Sequence, residues 1–321
     1  MSSAPIAERV AGTRRLRDLL GDRVLIALTA LAALGTVVVM ALIIYRILHG
    51  AHLAFSSFGL GFVTGTTWDT VHNQFGAGTL LYGTIVTSAI ALLIGGPFAI
   101  AIALFLSELA PPGVRGVVGS LVEMLAAVPS VVLGLWGILV MGPFVANHLE
   151  PWLHRWFGFI PLFSGDPSSS GILVAGLILA IMVVPIIASI CRELFVSVPQ
   201  DQQDAALALG ATRWEMTRGV ILSSSRPGIA AALILGLGRA LGEAIAVAQV
   251  VGAATKINRS LFLPGDTLAS RIAEQFQGAV TKLQISSLFY LAAILLVIGL
   301  GTNLIALAIV RRFESSRVGA G

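Results

Sequence analysis

At 321 residues, with 56% apolar and 11% charged side chains and a mean hydropathy of +0.93, the chain lies outside the soluble class, where about 25% of residues are charged. Its 20 Lys and Arg against 16 Asp and Glu lie between apolar runs rather than in a polar patch, which excludes a nucleic-acid binder and makes the lipid bilayer the expected surroundings. A single cysteine, Cys191, excludes an intrachain disulfide, and with no HExxH and no zinc-like Cys/His spacing neither a metal nor a cofactor is expected.

Residues 1–23 are polar and arginine-rich (Arg9, Arg14, Arg15, Arg17, Arg23) and read as a mobile or surface-lying cytoplasmic segment. A first span is expected over residues 24–45. It is longer than a signal-peptide core and lacks an A-x-A cleavage signal, so it reads as uncleaved. A glycine- and aromatic-rich outer loop follows to residue 78, with His49, His52 and His72 as surface residues. The second span covers 80–106, where Gly95-Gly96-Pro97 predicts a kink or break. A turn at Pro111-Pro112-Gly113 leads to a third span, 118–145, through Pro129, with Glu123 as a solvated or helix-start charge near its cytoplasmic end. The loop 146–170 holds Trp152 and Trp156, which suit an interfacial belt. The fourth span is 171–191, kinked at Pro185. A polar segment, 192–226, precedes a fifth span over 227–252, and after an outer loop a sixth span runs from 283 to 310, stopped by Arg311 and Arg312. At 1.5 Å per residue each run crosses a hydrocarbon core of about 30 Å. The fold class is an all-α polytopic membrane protein with six transmembrane helices.

Six spans place both termini on one side. Arg115, Arg192, Arg213, Arg218, Arg226, Arg311, Arg312 and Arg317 share the side of the N-terminal arginines. Only Arg46, Arg155, Lys256, Arg259, Arg271 and Lys282 fall opposite. The positive-inside rule puts both termini in the cytoplasm, in the plasma membrane of the cell. The chain divides into 1–23, 24–78, 79–312 and 313–321.

Within the cytoplasmic segment 197–222, Ser197 and Gln200 form a capping-box pattern with Pro199 in the first turn. Ala205, Ala206, Leu207, Ala208 and Leu209 follow as mostly strong helix formers, and Gly210 is the residue expected to end the helix. Thr212 and Glu215 form a second capping box. Helix, glycine turn, helix is the expected order, which also suits an ordinary surface connector.

Asp204-Ala205-Ala206, then Gly210, then Val220 and Leu222 resemble the EAA motif of ABC-importer permeases. Asp204 stands where that motif has glutamate, and Ser223 where it has proline. Four further segments resemble phosphate-importer permeases, in order: Phe75 to Ser88, Leu106 to Pro111, Glu123 to Gly137, and Gly236 to Val247. The match is closer to the C-type (PstC-type) permease than to its A-type sister. The resemblance implies a type I ABC importer permease fold and a coupling helix carrying Asp204, Ala205, Ala206, Gly210 and Leu222. It also implies a homologous second permease subunit, cytoplasmic ATPase subunits, an extracytoplasmic phosphate-binding protein, and inorganic phosphate as substrate. No GxxxxGK[ST] loop is present, so ATP hydrolysis falls to another chain and this subunit is not itself an enzyme.

Gly236-Leu237-Gly238-Arg239-Ala240-Leu241-Gly242-Glu243 interrupts the fifth apolar run with two charges one turn apart. Each such charge costs about 2.5–3.5 kcal/mol at a membrane helix centre on insertion scales. Twelve residues beyond Pro227, Arg239 lies about 18 Å into the bilayer, on one face with Glu243. One reading is a mutually neutralising pair that fixes packing. The other is a substrate pathway: a planar guanidinium binds phosphate oxygens bidentately, and Glu243 holds it when the site is empty or accepts a hydrogen bond from protonated phosphate. Gly238 and Gly242, four apart, form a close-packing pattern. For Thr84, Thr87, Ser88, Ser130 and Gln249, bonds to their own or neighbouring helices are favoured over substrate contact. The alternatives are a sister permease, a permease for another oxyanion, or a secondary carrier or channel using the pair as a charge relay.

Overall fold

A computed structural model describes the backbone of residues 6–318 and the side chains of residues 21–309. The side chains of Arg9, Arg14, Arg15, Arg17, Arg311, Arg312 and Arg317 therefore lie outside the described residues. Six helices in the described part are long and apolar enough to cross a membrane: Gly21–Phe58, Gly78–Leu109, Ser130–Phe157, Ile172–Val196, Arg213–Gly242 and Lys282–Ile309. The chain divides at Gly50 into two compact units, a first that ends at Gly50 and a second, Ala51–Gly321.

The described backbone of the first unit is helical throughout and belongs to α1 (Ile6–Phe58). The described part of the arginine-rich segment, from residue 6, and the first part of the expected outer loop are thus helical. The remainder of that loop holds α2 (Gly61–Thr64) and a small antiparallel hairpin, β1 (Trp68–Asp69) and β2 (Gln74–Phe75), with Trp68 opposite Phe75.

The second unit is organised around α8 (Ile172–Val196), the most buried of the six spans. It packs between α3 (Gly78–Leu104) and α11 (Ser223–Gly242). Pro97 and Pro185 both lie inside continuous helices, so neither breaks its span. Gly95 and Gly96 serve packing instead. A Cβ on Gly95 would meet Val183 Cγ2 at 2.8 Å and Ala180 O at 2.9 Å, and one on Gly96 would meet Leu233 Cδ2 at 2.9 Å. Close neighbours on both sides pack against the helix where proline frees a backbone carbonyl.

The third expected span is displaced. α4 (Pro112–Ala127) is a separate helix, and Val128 turns extended (ψ 125°) ahead of Pro129, as steric conflict with a following proline ring requires. Glu123 lies well inside α4 rather than at its start, as an exposed charge whose carboxylate is 4.0 Å from Arg192. The membrane-length helix then starts at Ser130 with α5 (Ser130–Trp136) and continues through α6 (Gly142–Phe144) and α7 (Glu150–Phe157), joined by π-helical turns. Residues 146–157, expected as loop, belong to it.

The cytoplasmic segment holds α9 (Gln200–Ala208) and α10 (Arg213–Met216), the latter leading through a π-helical turn into α11. α11 ends at Gly242. Glu243 is extended (ψ 119°), and α12 (Ile245–Val250) is a separate short helix. The fifth span is therefore broken at the glutamate itself. The outer loop beyond it contains α13 (Leu268–Gln275). α14 (Lys282–Val318) continues as a helix beyond the sixth candidate span, Lys282–Ile309.

Candidate functional site

The ridge of α11 that faces α8 consists of small residues at every fourth position: Gly228, Ala232, Gly236 and Ala240. A Cβ on Gly236 would meet Ile187 Cδ1 at 2.6 Å, and one on Gly228 would meet Leu194 Cδ1 at 2.4 Å, so the two helices approach closely only because nothing projects between them. The adjoining face carries Leu235, Gly238, Arg239 and Gly242, all exposed in this chain. The close packing expected at Gly238 and Gly242 is not made within the chain, where a side chain at either position would meet nothing.

Arg239 and Glu243 are brought together, but not as neighbours on one unbroken helix. The guanidinium Nη2 lies 3.2 Å from Glu243 Oε2, with Arg239 49% exposed and Glu243 5%. The other carboxylate oxygen, Oε1, accepts the Ala246 backbone N–H at 3.3 Å. Glu243 therefore bridges the break. One oxygen neutralises the arginine and the other satisfies a free N–H in the first turn of α12, where a negative charge is also favoured by the helix dipole. Gln249, one turn further along α12, has a buried Oε1 without a hydrogen-bond partner, lodged against Gly134 of α5. Thr84 and Thr87 are buried and bond back to Leu80 O (2.7 Å) and Gly83 O (2.8 Å). Ser88 Oγ is buried without a partner.

On the cytoplasmic side, α9 is not capped by Ser197. That hydroxyl donates to Leu194 O at 2.7 Å, at the end of α8, and Pro199 opens α9. Proline can take this place because it has no N–H to satisfy. The C-terminal end forms a Schellman closure: Gly210 N–H donates to Leu207 O (3.0 Å) and Ala211 N–H to Ala206 O (3.1 Å). Gly210 has φ +90°, a conformation that favours glycine. Thr212 and Glu215 form the expected capping box. Asp204, Ala205 and Gly210 are exposed, whereas Ala206 and Leu222 lean against the core. Leu209 at 89% and Trp214 at 64% exposure add an apolar surface beside the motif residues.

Arg271, expected as an outer loop charge, is buried together with Asp266. The two form an ion pair. Asp266 Oδ1 also accepts from Thr267 N–H (2.7 Å) and from the Ser270 hydroxyl (2.5 Å). The signal was present in the sequence as Thr267-x-x-Ser270, which forms a capping box for α13. Burial pushes the Asp266 carboxyl above the usual carboxylate range, with Arg271 opposing. Glu274 is pushed up by burial and by the neighbouring Asp266. In the hairpin, a hydrogen bond from His72 holds Asp69 below its usual range. A cavity of about 630 Å³ opens beside the hairpin, lined by Thr66, Thr67, Trp68, Thr255 and Lys256 among others. Among the described residues no group of three or more His, Cys, Asp or Glu is placed to hold a metal.

Comparison with known proteins adds the following. The family model described as "Binding-protein-dependent transport system inner membrane component" matches residues 95–315. A phosphate transport system permease protein, PstC, of Mesorhizobium japonicum is 41% identical over 91% of this chain and 90% of its own length. A probable phosphate transport system permease protein, PstC, of Methanocaldococcus jannaschii is 38% identical over 75% of this chain and 76% of its own. Among solved structures, a chain of a bacterial ABC transporter involved in import of the acidic polysaccharide alginate superposes with a TM-score of 0.59. It is 21% identical, over 92% of this chain and 99% of that one. That likeness concerns the fold.

Proposed function

We propose a specific task for this chain, which belongs to the binding-protein-dependent transport system inner membrane components: it is the transmembrane permease subunit of an ATP-driven importer of inorganic phosphate, and it forms part of the translocation pathway. It is a multi-pass membrane protein and not an enzyme, and its family works with an ATPase and a substrate-binding protein. The substrate is supported by the phosphate-transport permeases to which it is 38–41% identical over most of its length. The finer assembly is a homologous second permease, two cytoplasmic ATPase subunits and an extracytoplasmic phosphate-binding protein, with both termini in the cytoplasm.

The observation that carries the site is the half-exposed Arg239 on the face of α11 that this chain leaves open, tethered by a buried glutamate. In the assembled transporter that face borders the pathway, Gly238 and Gly242 admit the second permease closely, and the guanidinium meets the passing phosphate. A single fork already satisfied in part by Glu243 binds the anion transiently, as conduction requires. The segment from Asp204 through Leu222 docks into the ATPase, with Leu209 and Trp214 as its apolar contact, and its movement is carried by α10 into α11. The experiment is uptake into proteoliposomes holding the chain with its second permease and ATPase, supplied with ATP and the loaded binding protein. ATP-dependent accumulation of phosphate but not sulfate is expected. Flux through this chain alone without ATP, or equal sulfate uptake, overturns the reading.

A further inference from the structure

α12 is a helix of six residues held at both ends. At its start Glu243 binds the Ala246 N–H. At its finish its carbonyls and the strand of chain beyond are taken up by three different parts of the molecule. Val250 O accepts Gly171 N–H at 2.9 Å, from the start of α8. Val251 O accepts Gly265 N–H at 2.9 Å, and Ala254 N–H donates to Gly265 O at 2.9 Å. Ala254 O accepts Arg271 Nη2 at 3.4 Å. The stretch that leaves α12 is therefore tied to the segment that carries Asp266 and to the Arg271 guanidinium.

That guanidinium and its carboxylate are 4% and 0% exposed. Burying such a pair is costly, and ion pairs of this kind seldom stabilise a fold beyond what a well-packed apolar pair would do. What this pair does is join elements that are otherwise separate. Asp266 fixes the first turn of α13 through Thr267 and Ser270. Leu268 N–H, in the same turn, donates to Thr84 Oγ1 of α3 at 2.9 Å. Gly83 of α3 lies so close that a Cβ there would sit 1.9 Å from Asp266 O. Arg271 lies over the ring of Trp68, 5.8 Å from its centroid, and the Trp68 indole N–H donates to Gln275 Oε1 at 2.8 Å. Trp68 belongs to the hairpin and lines the cavity at its edge.

We infer that Asp266 and Arg271 are positioning residues for transport: their ion pair locks the hairpin, α3 and α13 to the end of α12, and so sets where α12 holds Glu243 against Arg239. Displacement of the hairpin surface, where an extracytoplasmic partner has access, is passed along α12 to the charge pair at the helix break. The inference rests on the proposed role of Arg239 and Glu243 in the pathway. It assigns the outer loop a second task, that of coupling partner contact to the site.

The test uses the complete transporter in lipid nanodiscs and reads ATP hydrolysis with and without loaded binding protein. A lone buried charge would harm folding whatever the role of the pair, so the informative variant removes both charges, Asp266→Asn with Arg271→Gln. A positioned group shifted by about 1 Å loses on the order of a hundredfold in rate. Stimulation by the binding protein is accordingly expected to fall about tenfold or more, with assembly and basal hydrolysis kept. Thr84→Val, which removes the acceptor docking α13 onto α3 with little change of shape, is expected to lower stimulation several-fold and serves if the double variant fails to assemble. Full stimulation in the assembled double variant overturns the inference, as does full stimulation in Thr84→Val. Arg239→Gln, measured alongside for uptake, separates the two readings. Normal uptake there refutes the pathway role, whereas the stimulation ratio of the loop variants reports on positioning alone.

Discussion

Arg239 and Glu243 face each other at 3.2 Å across the point where the fifth membrane helix breaks, with the arginine half exposed and the glutamate buried. The break makes the glutamate a joint as well as a counter-charge. Its second oxygen caps α12, so the same side chain that restrains the arginine also holds the next helix in place.

Replacement of Arg239 by Gln removes a charged fork while keeping an amide of similar reach. Charge-assisted hydrogen bonds contribute about 1.5–3 kcal/mol, so ATP-driven phosphate uptake is expected to fall about ten- to a hundredfold. Assembly, followed by co-purification of the ATPase, should be unchanged. Normal uptake in an assembled complex removes Arg239 from the pathway.

Glu243 separates two roles by its choice of substitute. Glutamine retains an oxygen for the Ala246 N–H but loses the charge; alanine loses both. Glu243→Gln should therefore keep thermal stability near that of the parent and change only transport. Glu243→Ala should lower stability as well, by about 1 kcal/mol for the lost cap. Equal melting temperatures for the two variants would show that the cap contributes nothing.

Gly210→Ala places a side chain at φ +90°, which costs about 1–2 kcal/mol in a left-handed conformation. The turn between α9 and α10 should shift or fray. The expected result is a complex that hydrolyses ATP with weakened transport. Leu209→Asp, on the 89% exposed leucine, should reduce ATPase co-purification without altering the fold of this chain, as circular dichroism would report.

The two kinds of glycine on α11 should respond in opposite ways. Gly236→Val drives a side chain into Ile187, and overpacking of this kind costs about 1–3 kcal/mol. The purified chain should then melt at a lower temperature. Gly238→Ala and Gly242→Ala meet nothing in this chain and should leave its melting unchanged while weakening association with the second permease. If they leave association intact, that face is not the permease contact.

Glu150, fully buried, accepts the Ser168 N–H at 2.7 Å and ties the outer loop to α7. Glu150→Ala leaves that N–H without a partner at a cost of about 1–3 kcal/mol, whereas Glu150→Gln retains an acceptor. Limited proteolysis within residues 158–170 should be faster in the alanine variant alone.

The residue pattern alone determined the class of fold, the existence of six spans, the glycine turn at Gly210, the Thr212 capping box and the presence of two charges in the fifth span. Each of these follows from local chemistry: apolar length against bilayer thickness, a residue that tolerates positive φ, a hydroxyl three residues before a carboxylate. Tertiary structure decided what local chemistry leaves open. Gly95-Gly96-Pro97 looks like a helix break, yet the helix runs through it, with Gly95 packed against α8 and Gly96 against α11. Gly238 and Gly242 look like a packing motif, yet helical phase directs Gly228 and Gly236 to α8 and leaves the other pair open. Arg271 looks like a solvated loop charge until the chain folds back to bring Asp266 and Trp68 to it. The helix break at Glu243 has no proline to announce it. It exists because the carboxylate satisfies the arginine before it and the free N–H after it, and that exchange becomes favourable only when α5 and α8 have fixed the position of α12.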